Sequence, residues 1–181
     1  MSASATPARI RVAPVHLVPG AAVFDLQVAA EQRTYVGDIA LNVADAGRDP
    51  LSDAMVVLAG ERAVGFYRLD RASGTVCGHE LGEPTLGLRA LFIDRRMQGR
   101  GYGGAAVQAC FDDARARHPD HHLLVLAVHC CNRAAISTYL RAGFRDTGER
   151  LPGGAAGEQI LMLKRLRPAV PVHAHIAPDQ T

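Results

Sequence analysis

Two textures of apolar residues divide the chain. In the first part, Ile10–Val18 alternates weakly and predicts a strand, stopped by Pro19-Gly20. Ala21–Ala46 follows with apolar positions at Val23, Leu26 and Ala30, then Ile39, Leu41 and Val43. It predicts two helices broken near Gly37, with Pro50 closing the region. From there short β-rich runs take over. Ala54–Ala59 and Ala63–Leu69 flank Gly60-Glu61-Arg62 as a hairpin would. Arg71–Glu83 is a Gly-rich connection, and Leu86–Asp94 predicts another strand. After the turn Gln98–Gly104, Val107, Cys110, Phe111 and Ala114 recur at i, i+3, i+4 and i+7, which marks a helix running to about His118. Leu123–Val128 is continuously apolar, as in a strand covered on both faces. Asn132–Ala142 predicts a second helix with Ile136, Tyr139 and Leu140 on one face. Asn132 is placed to cap its start and Gly143 its end. Phe144–Glu149 and Gln159–Leu166 close the pattern as two strands around Pro152-Gly153-Gly154.

The resulting order, β-α-α-β-β-β-α-β-α-β-β, predicts an α/β fold with a mixed central sheet. The unit 86–128 forms its parallel crossover. One domain is expected over 9–167, between a flexible N-terminus at 1–8 and a flexible Pro-rich tail at 168–181.

Composition narrows the function classes. A chain of 181 residues suits a single domain. The formal charge of +2 offers no global basic field, so neither nucleic acid nor a membrane is an expected partner. The Arg- and Ala-rich composition fits a bacterial, GC-rich genome. Lys164 is the one lysine, which leaves one candidate for Schiff-base chemistry. Cysteines 77, 110, 130 and 131 form no C-x-x-C and read as a reduced, cytoplasmic set. Met1–Arg11 has no apolar core of a signal peptide, and Leu123–Val128 is too short to span a bilayer. His118, His121, His122, His173 and His175 have no carboxylate at ligand spacing, so no metal is expected.

The chemistry concentrates at Gln98-Gly99-Arg100-Gly101-Tyr102-Gly103-Gly104, between a strand and a helix. Glycines there let the backbone turn sharply and approach a ligand. The free N–H groups of the helix start converge on one spot, where the helix dipole favours an anion. From Leu88 to Gly104 four Arg (89, 95, 96, 100) stand against Asp94 alone. The turn is therefore a candidate pyrophosphate seat. A turn built for packing alone is one alternative. A dinucleotide fingerprint is another, since Gly99, Gly101 and Gly104 match G-x-G-x-x-G. That motif also wants an acid at the end of the next strand, where His129-Cys130-Cys131-Asn132 supplies none. A Walker loop is excluded because no G-K-[ST] is present.

The same residues carry a resemblance. Gln98-Gly99-Arg100-Gly101-Tyr102-Gly103 resembles the Q/R-x-x-G-x-G/A motif of the GNAT N-acetyltransferase superfamily, preceded by a similar strand, Leu91-Phe92-Ile93-Asp94. Asn132-x-x-Ala135-x-x-x-Tyr139-x-x-x-Gly143-Phe144 resembles its second signature at the right spacing, and Gly148-Glu149 and Gly157-Glu158 its ending. The likeness covers about Ala54–Leu166, and within the superfamily LRALFIDRRMQGRGYG is similar to the bacterial polyamine or diamine acetyltransferase branch.

The resemblance implies a GNAT-like sheet splayed between strands 4 and 5, with acetyl-CoA as co-substrate and no metal. It puts pyrophosphate on the backbone of Gln98, Gly99, Arg100, Gly101, Tyr102, Gly103 and Gly104, backed by the side chains of Arg96 and Arg100. It puts pantetheine along the backbone of Leu91, Phe92 and Ile93, where one N–H would stabilise the oxyanion. Asn132 would touch the cofactor arm as well as cap its helix. Tyr139 would protonate the leaving thiolate as general acid, although it also fits a core position. The implied reaction is direct attack by a primary amine in a ternary complex.

The base is less defined. The resemblance puts an acid near Gly87, where the sequence has none. Glu83, just upstream, is the first candidate, His129 the second, and a water chain a third. Cys131, beside Asn132, is conceivable as a covalent nucleophile. The acceptor would be a small-molecule amine or a peptide N-terminus, entering past roughly Tyr35–Asp45 and 79–83, where Asp38, Asp45, Glu80 and Glu83 would attract a cation. A homodimer is compatible with the resemblance. The rival functions are a CoA-binding sensor without catalysis and, through the fingerprint, a dinucleotide-dependent oxidoreductase.

Overall fold

The computed structural model describes residues 9–72, 74–153 and 157–168. The N-terminus expected at 1–8 and the tail from 169 onward lie outside them. In chain order the elements are β1 (Ile10–Pro14), α1 (Gly20–Phe24), α2 (Arg33–Val36), α3 (Ile39–Arg48), β2 (Ser52–Ala59), β3 (Arg62–Asp70) and α4 (Gly74–Cys77). Then come β4 (Thr85–Ile93), α5 (Tyr102–Arg117), β5 (Leu123–His129), α6 (Arg133–Arg141), β6 (Arg145–Leu151) and β7 (Gln159–Arg165).

The strands form one sheet in the order β1-β2-β3-β4-β5-β7-β6. All neighbours are antiparallel except β4 and β5, the parallel pair joined through α5. This is the mixed α/β sheet that the order of elements predicts. The hairpin turn falls at Gly60-Glu61, with Ala59 opposite Arg62. The face of α5 expected from its spacing is inside: Val107, Cys110, Phe111 and Ala114 are all buried against Leu86, Leu88, Leu124 and Leu126. Each large side chain in that layer contributes about 1.5–3 kcal/mol by leaving water. β5 is buried almost throughout, as its unbroken apolar run requires.

Several boundaries differ from the sequence reading, each for a local reason. The first strand ends at Pro14, and Val15–Leu17 turns into a 3-10 helix because Pro14 has no N–H for a ladder. The stretch after it holds three short helices rather than two. α2 and α3 are divided by Gly37, whose φ of +75° suits glycine, and Asp38 caps α3 by accepting from the Leu41 N–H. The Gly-rich connection contains a helical turn, α4. On α6, Tyr139 faces inward but Leu140 is half exposed, so the apolar face is narrower than its three residues imply.

The feature that positions the site is the parting of β4 from β5. They pair only over Thr85–Gly87 with Leu123–Val125. Beyond Gly87 the β5 side of β4 has no ladder partner. A bulge follows, with Ala90 and Leu91 of β4 opposed by Tyr67 alone on β3. Ala90 adopts a φ of +52°, a left-handed conformation that costs an alanine about 1–2 kcal/mol. A bulge of this kind twists its strand and re-aims side chains, here away from β5.

Candidate active site

Two cavities of about 270 Å³ each open along this cleft. They share a wall of Tyr35, Val36, Leu91, Asn132, Ala135 and Tyr139. One extends to the glycine turn and the start of α5, past Ile93, Gln98, Gly99, Gly101, Tyr102 and Gly103. The other extends toward α3, α4 and the lower part of β4, past Asn42, Thr75, Val76, Arg89, His129 and Gln159.

The turn is built from backbone. Gly99 and Gly101 have φ of +74° and +80°, and a side chain at Gly99, Gly101, Gly103 or Gly104 would meet nothing, so open space lies over the turn. Gly101 stands at the N-cap of α5 with no capping side chain. The first N–H groups of a sixteen-residue helix thus lack intrahelical partners. Gln98 fastens the turn from below, donating through Nε2 to the Ile93 carbonyl at 2.9 Å and to Gln32 Oε1 at 2.8 Å. Arg96 is placed elsewhere: its guanidinium donates to Asp94 and Asp25, which hold it beside α1. Arg100 is exposed. Leu91 and Ile93 line the cavity, whereas Phe92 points to the opposite side and packs on Phe66.

Tyr139 lies where the cavities meet. It is buried against Phe144, with ring centroids 5.6 Å apart, and its hydroxyl makes no hydrogen bond among the described residues. Burial, with the nearby Cys110, pushes the phenol well above its ordinary pKa, so it holds its proton at neutral pH. Asn132 caps α6 by accepting from the Ala135 N–H at 3.2 Å and lines both cavities. Gly143 follows the helix with φ +88°.

The two base candidates separate. Glu83 sits before β4, where Arg165 donates to both its oxygens at 3.0 and 2.9 Å and pulls its carboxyl below the usual range. It lines a different hollow with Arg71, Glu80 and His121, so it is not brought together with Tyr139. His129 is in the cavity: it is 5% exposed, its Nδ1 is buried without a hydrogen-bond partner among the described residues, and the Gln159 amide donates to its Nε2 at 3.0 Å. Gly87 admits no acid, because a Cβ there would lie 2.6 Å from Val76 Cγ2 of α4. Cys131 is exposed, with its sulfur 3.2 Å from the Tyr35 hydroxyl. Lys164 rests over the Phe111 ring at 3.6 Å, among the packing of α5.

The sequence reading named Tyr35 only as the start of the stretch Tyr35–Asp45 along the acceptor's path, and missed Thr75, Val76 and Gln159. Tyr35 stacks on His129 with centroids 4.8 Å apart. Nothing in the local pattern flags a residue that the fold brings ninety positions along the chain. Arg89 entered only as part of a basic count.

A parallel strand pair parted at a bulge, with a glycine turn on one side and a buried tyrosine at the junction, is the build of an acyl-CoA-dependent acyltransferase. The model of the acetyltransferase (GNAT) family matches residues 23–144, and the chain belongs to that family. Among solved structures, the spermidine N-acetyltransferase of Vibrio cholerae, in complex with CoA and spermine, is similar at 15% identity and a TM-score of 0.65, covering 87% of this chain and 96% of that one. An aminoglycoside acetyltransferase in complex with coenzyme A matches at 15% and 0.66, over 86% and 94%. The ribosomal-protein-S18-alanine N-acetyltransferase of Escherichia coli matches at 14% and 0.62, over 90% and 97%. No curated protein matches by sequence. The protein is thus an N-acetyltransferase by family, and the unpaired edge of β4 and the open glycine turn fit acetyl-CoA as co-substrate. Among the described residues no group of His, Cys, Asp or Glu is placed to hold a metal, and no helix is long and apolar enough to cross a membrane.

Proposed function

We propose that the protein transfers the acetyl group of acetyl-CoA to a primary amine by direct attack in a ternary complex, with Tyr139 as the general acid. The observation that carries this reading is the single wall between the two cavities, in which Tyr139 is a buried, protonated phenol. Acetyl-CoA, when bound, supplies the activated acyl group. The N–H groups of Gly101–Gly104 and the α5 dipole hold its phosphates, and the backbone of Leu91 and Ile93 orients its arm. Tyr139 Oη holds the proton that the departing thiolate takes. In the other cavity His129 serves as base in preference to Glu83: the Gln159 amide donates to its Nε2, so Nδ1 carries the ring hydrogen and Nε2 the lone pair that takes the amine's proton as the amine displaces Gln159. The nearness of the two cavities does the remaining work by aligning the reactants. The acceptor is a small-molecule amine or a peptide N-terminus, and the setting fits a cytoplasmic protein.

Tyr139→Phe tests the reading. Thiol release from acetyl-CoA should fall about 100-fold or more in kcat, the ordinary contribution of a positioned acid. Binding of acetyl-CoA should stay near that of the parent, since the hydroxyl makes no ground-state hydrogen bond among the described residues. Unchanged turnover would remove Tyr139 as the acid. Binding of acetyl-CoA without thiol release on any amine would favour a sensor.

A further inference from the structure

We propose that the acceptor amine also carries an anionic group, a carboxylate or a phosphate, and that Arg89 binds it. The inference rests on the transferase reading above and names the acceptor class for that same site. The lining of the acceptor-side cavity includes no Asp or Glu among the described residues, and its one fully charged side chain is Arg89. The acids expected to draw a polycation are engaged elsewhere. Asp38 caps α3, Asp45 pairs with Arg48, Glu83 pairs with Arg165, and Glu80 lines the separate hollow beside Glu83. A polyamine would therefore bring a second ammonium toward an arginine with no carboxylate in the lining to receive it.

Arg89 is also built to receive an anion. Asp70, 1% exposed, is shared by two guanidiniums: Arg68 at 3.5 Å, 6% exposed, and Arg89 at 3.0 Å, 42% exposed. Ser52 donates to Asp70 at 2.5 Å and accepts from Arg68, which fastens the buried half of the group. Two positive charges against one negative leave a net positive charge, and the exposed member is the one facing the cavity. Arg89 makes one hydrogen bond, from Nη1 to Asp70 Oδ2; its Nε and Nη2 make none among the described residues. The guanidinium is thus held by one corner and presents a fork that matches a carboxylate or phosphate. Being tethered, it loses little freedom when it binds.

The test measures thiol release from acetyl-CoA with matched amines: lysine against cadaverine, phenylalanine against phenethylamine, and O-phosphoethanolamine against ethanolamine. At least one anionic member should exceed its partner lacking the anionic group about tenfold or more in kcat/KM, as expected for a charge-assisted pair. The three pairs separate carboxylate from phosphate. Arg89→Met should collapse that preference toward unity, chiefly through acceptor KM, and Arg89→Lys should restore part of it. A melting curve with acetyl-CoA shows that each variant is folded and loaded. Turnover of spermidine or of the partners lacking the anionic group in preference, or an Arg89→Met effect equal on both members of a pair, overturns the inference while leaving the transferase intact. Absence of turnover on every amine, with acetyl-CoA still raising Tm, overturns the transferase reading and this inference with it.

Discussion

The cavity toward the glycine turn takes much of its lining from the single stretch Leu91–Val107, whereas the cavity toward Arg89 is gathered from seven elements, α2, α3, α4, β4, β5, α6 and β7. The first is largely backbone: glycines, a helix start and an unpaired strand edge. The second is made of side chains held by other side chains, with Asp70 beneath Arg89 and Gln159 beside His129. Backbone recognition is indifferent to sequence elsewhere in the fold and suits a co-substrate that never changes. Side-chain recognition can be re-cut for a different acceptor without disturbing the sheet.

The sharpest way to break the comparison is at Asp70. Burial alone would raise its pKa, but hydrogen bonds from Ser52 and Arg89 and the charges of Arg68 and Arg89 outweigh it and hold the carboxyl below the usual range. Asp70→Asn leaves Arg68 buried without a counter-charge and should cost about 3–5 kcal/mol of stability. Because the native pKa is depressed, the stabilisation is complete above the ordinary value of about 3.9 and is lost as the pH falls through the lower native one. The Tm difference between parent and variant should therefore be full at neutral pH, begin to narrow near about pH 4 and close only as the pH falls through the lower native value. A gap that does not narrow at all between neutral pH and pH 2 would mean that packing, not charge, supports the acceptor side. On the other side, charge reversal or loss at Arg96 would not be equivalent, since that arginine is tied to Asp94 and Asp25 away from the cavity.

Gly101→Ala probes the backbone side. A Cβ there meets no atom, so the cost is conformational: φ +80° charges an alanine about 1–2 kcal/mol. If the turn relaxes to avoid it, acetyl-CoA should bind roughly five- to thirtyfold more weakly by calorimetry. The preference between matched amines should not change. A shifted amine preference with unaltered acetyl-CoA affinity would show that the two halves are not separable.

This division also explains what the sequence made legible. Val107, Cys110, Phe111 and Ala114 announced α5 by period, and Asn132 and Gly143 announced the ends of α6 by chemistry. The glycine turn was readable because its residues are contiguous. Tyr139 stood out only through the spacing from Asn132 to Gly143, since a tyrosine on an apolar face reads equally well as core. The acceptor side was readable only as the stretch Tyr35–Asp45 and a lone His129, not as a set of contacts, for a physical reason. Arg89 acquires its role from Asp70, Ser52 and Arg68 across three strands, and Tyr35 from His129 on a strand reached only by the crossover. α4 was hidden because a four-residue helix has no period to detect, yet Val76 on it explains why Gly87 bears no acid. Proximity in sequence to the expected acid position made Glu83 the first base candidate; the parting of β4 from β5 begins above it and leaves it at the paired end.

The smallest effect is expected at Glu83, and it sharpens the boundary of the acceptor side. Its carboxylate is exposed enough for water and salt to screen its pair with Arg165, and exposed pairs of this kind contribute little. Glu83→Gln should move Tm less than either substitution above. The consequence for catalysis is more informative than the stability change. A general base must be unprotonated to work, so kcat/KM rises with pH as the base loses its proton. If His129 accepts the proton, that ascending limb belongs to a group in the cavity with Tyr139, and Glu83→Gln should keep it at the parental midpoint. If the limb disappears, the base reaches the amine from the paired end of the strands. The acceptor side then extends past Gly87 to the hollow of Arg71, Glu80 and His121.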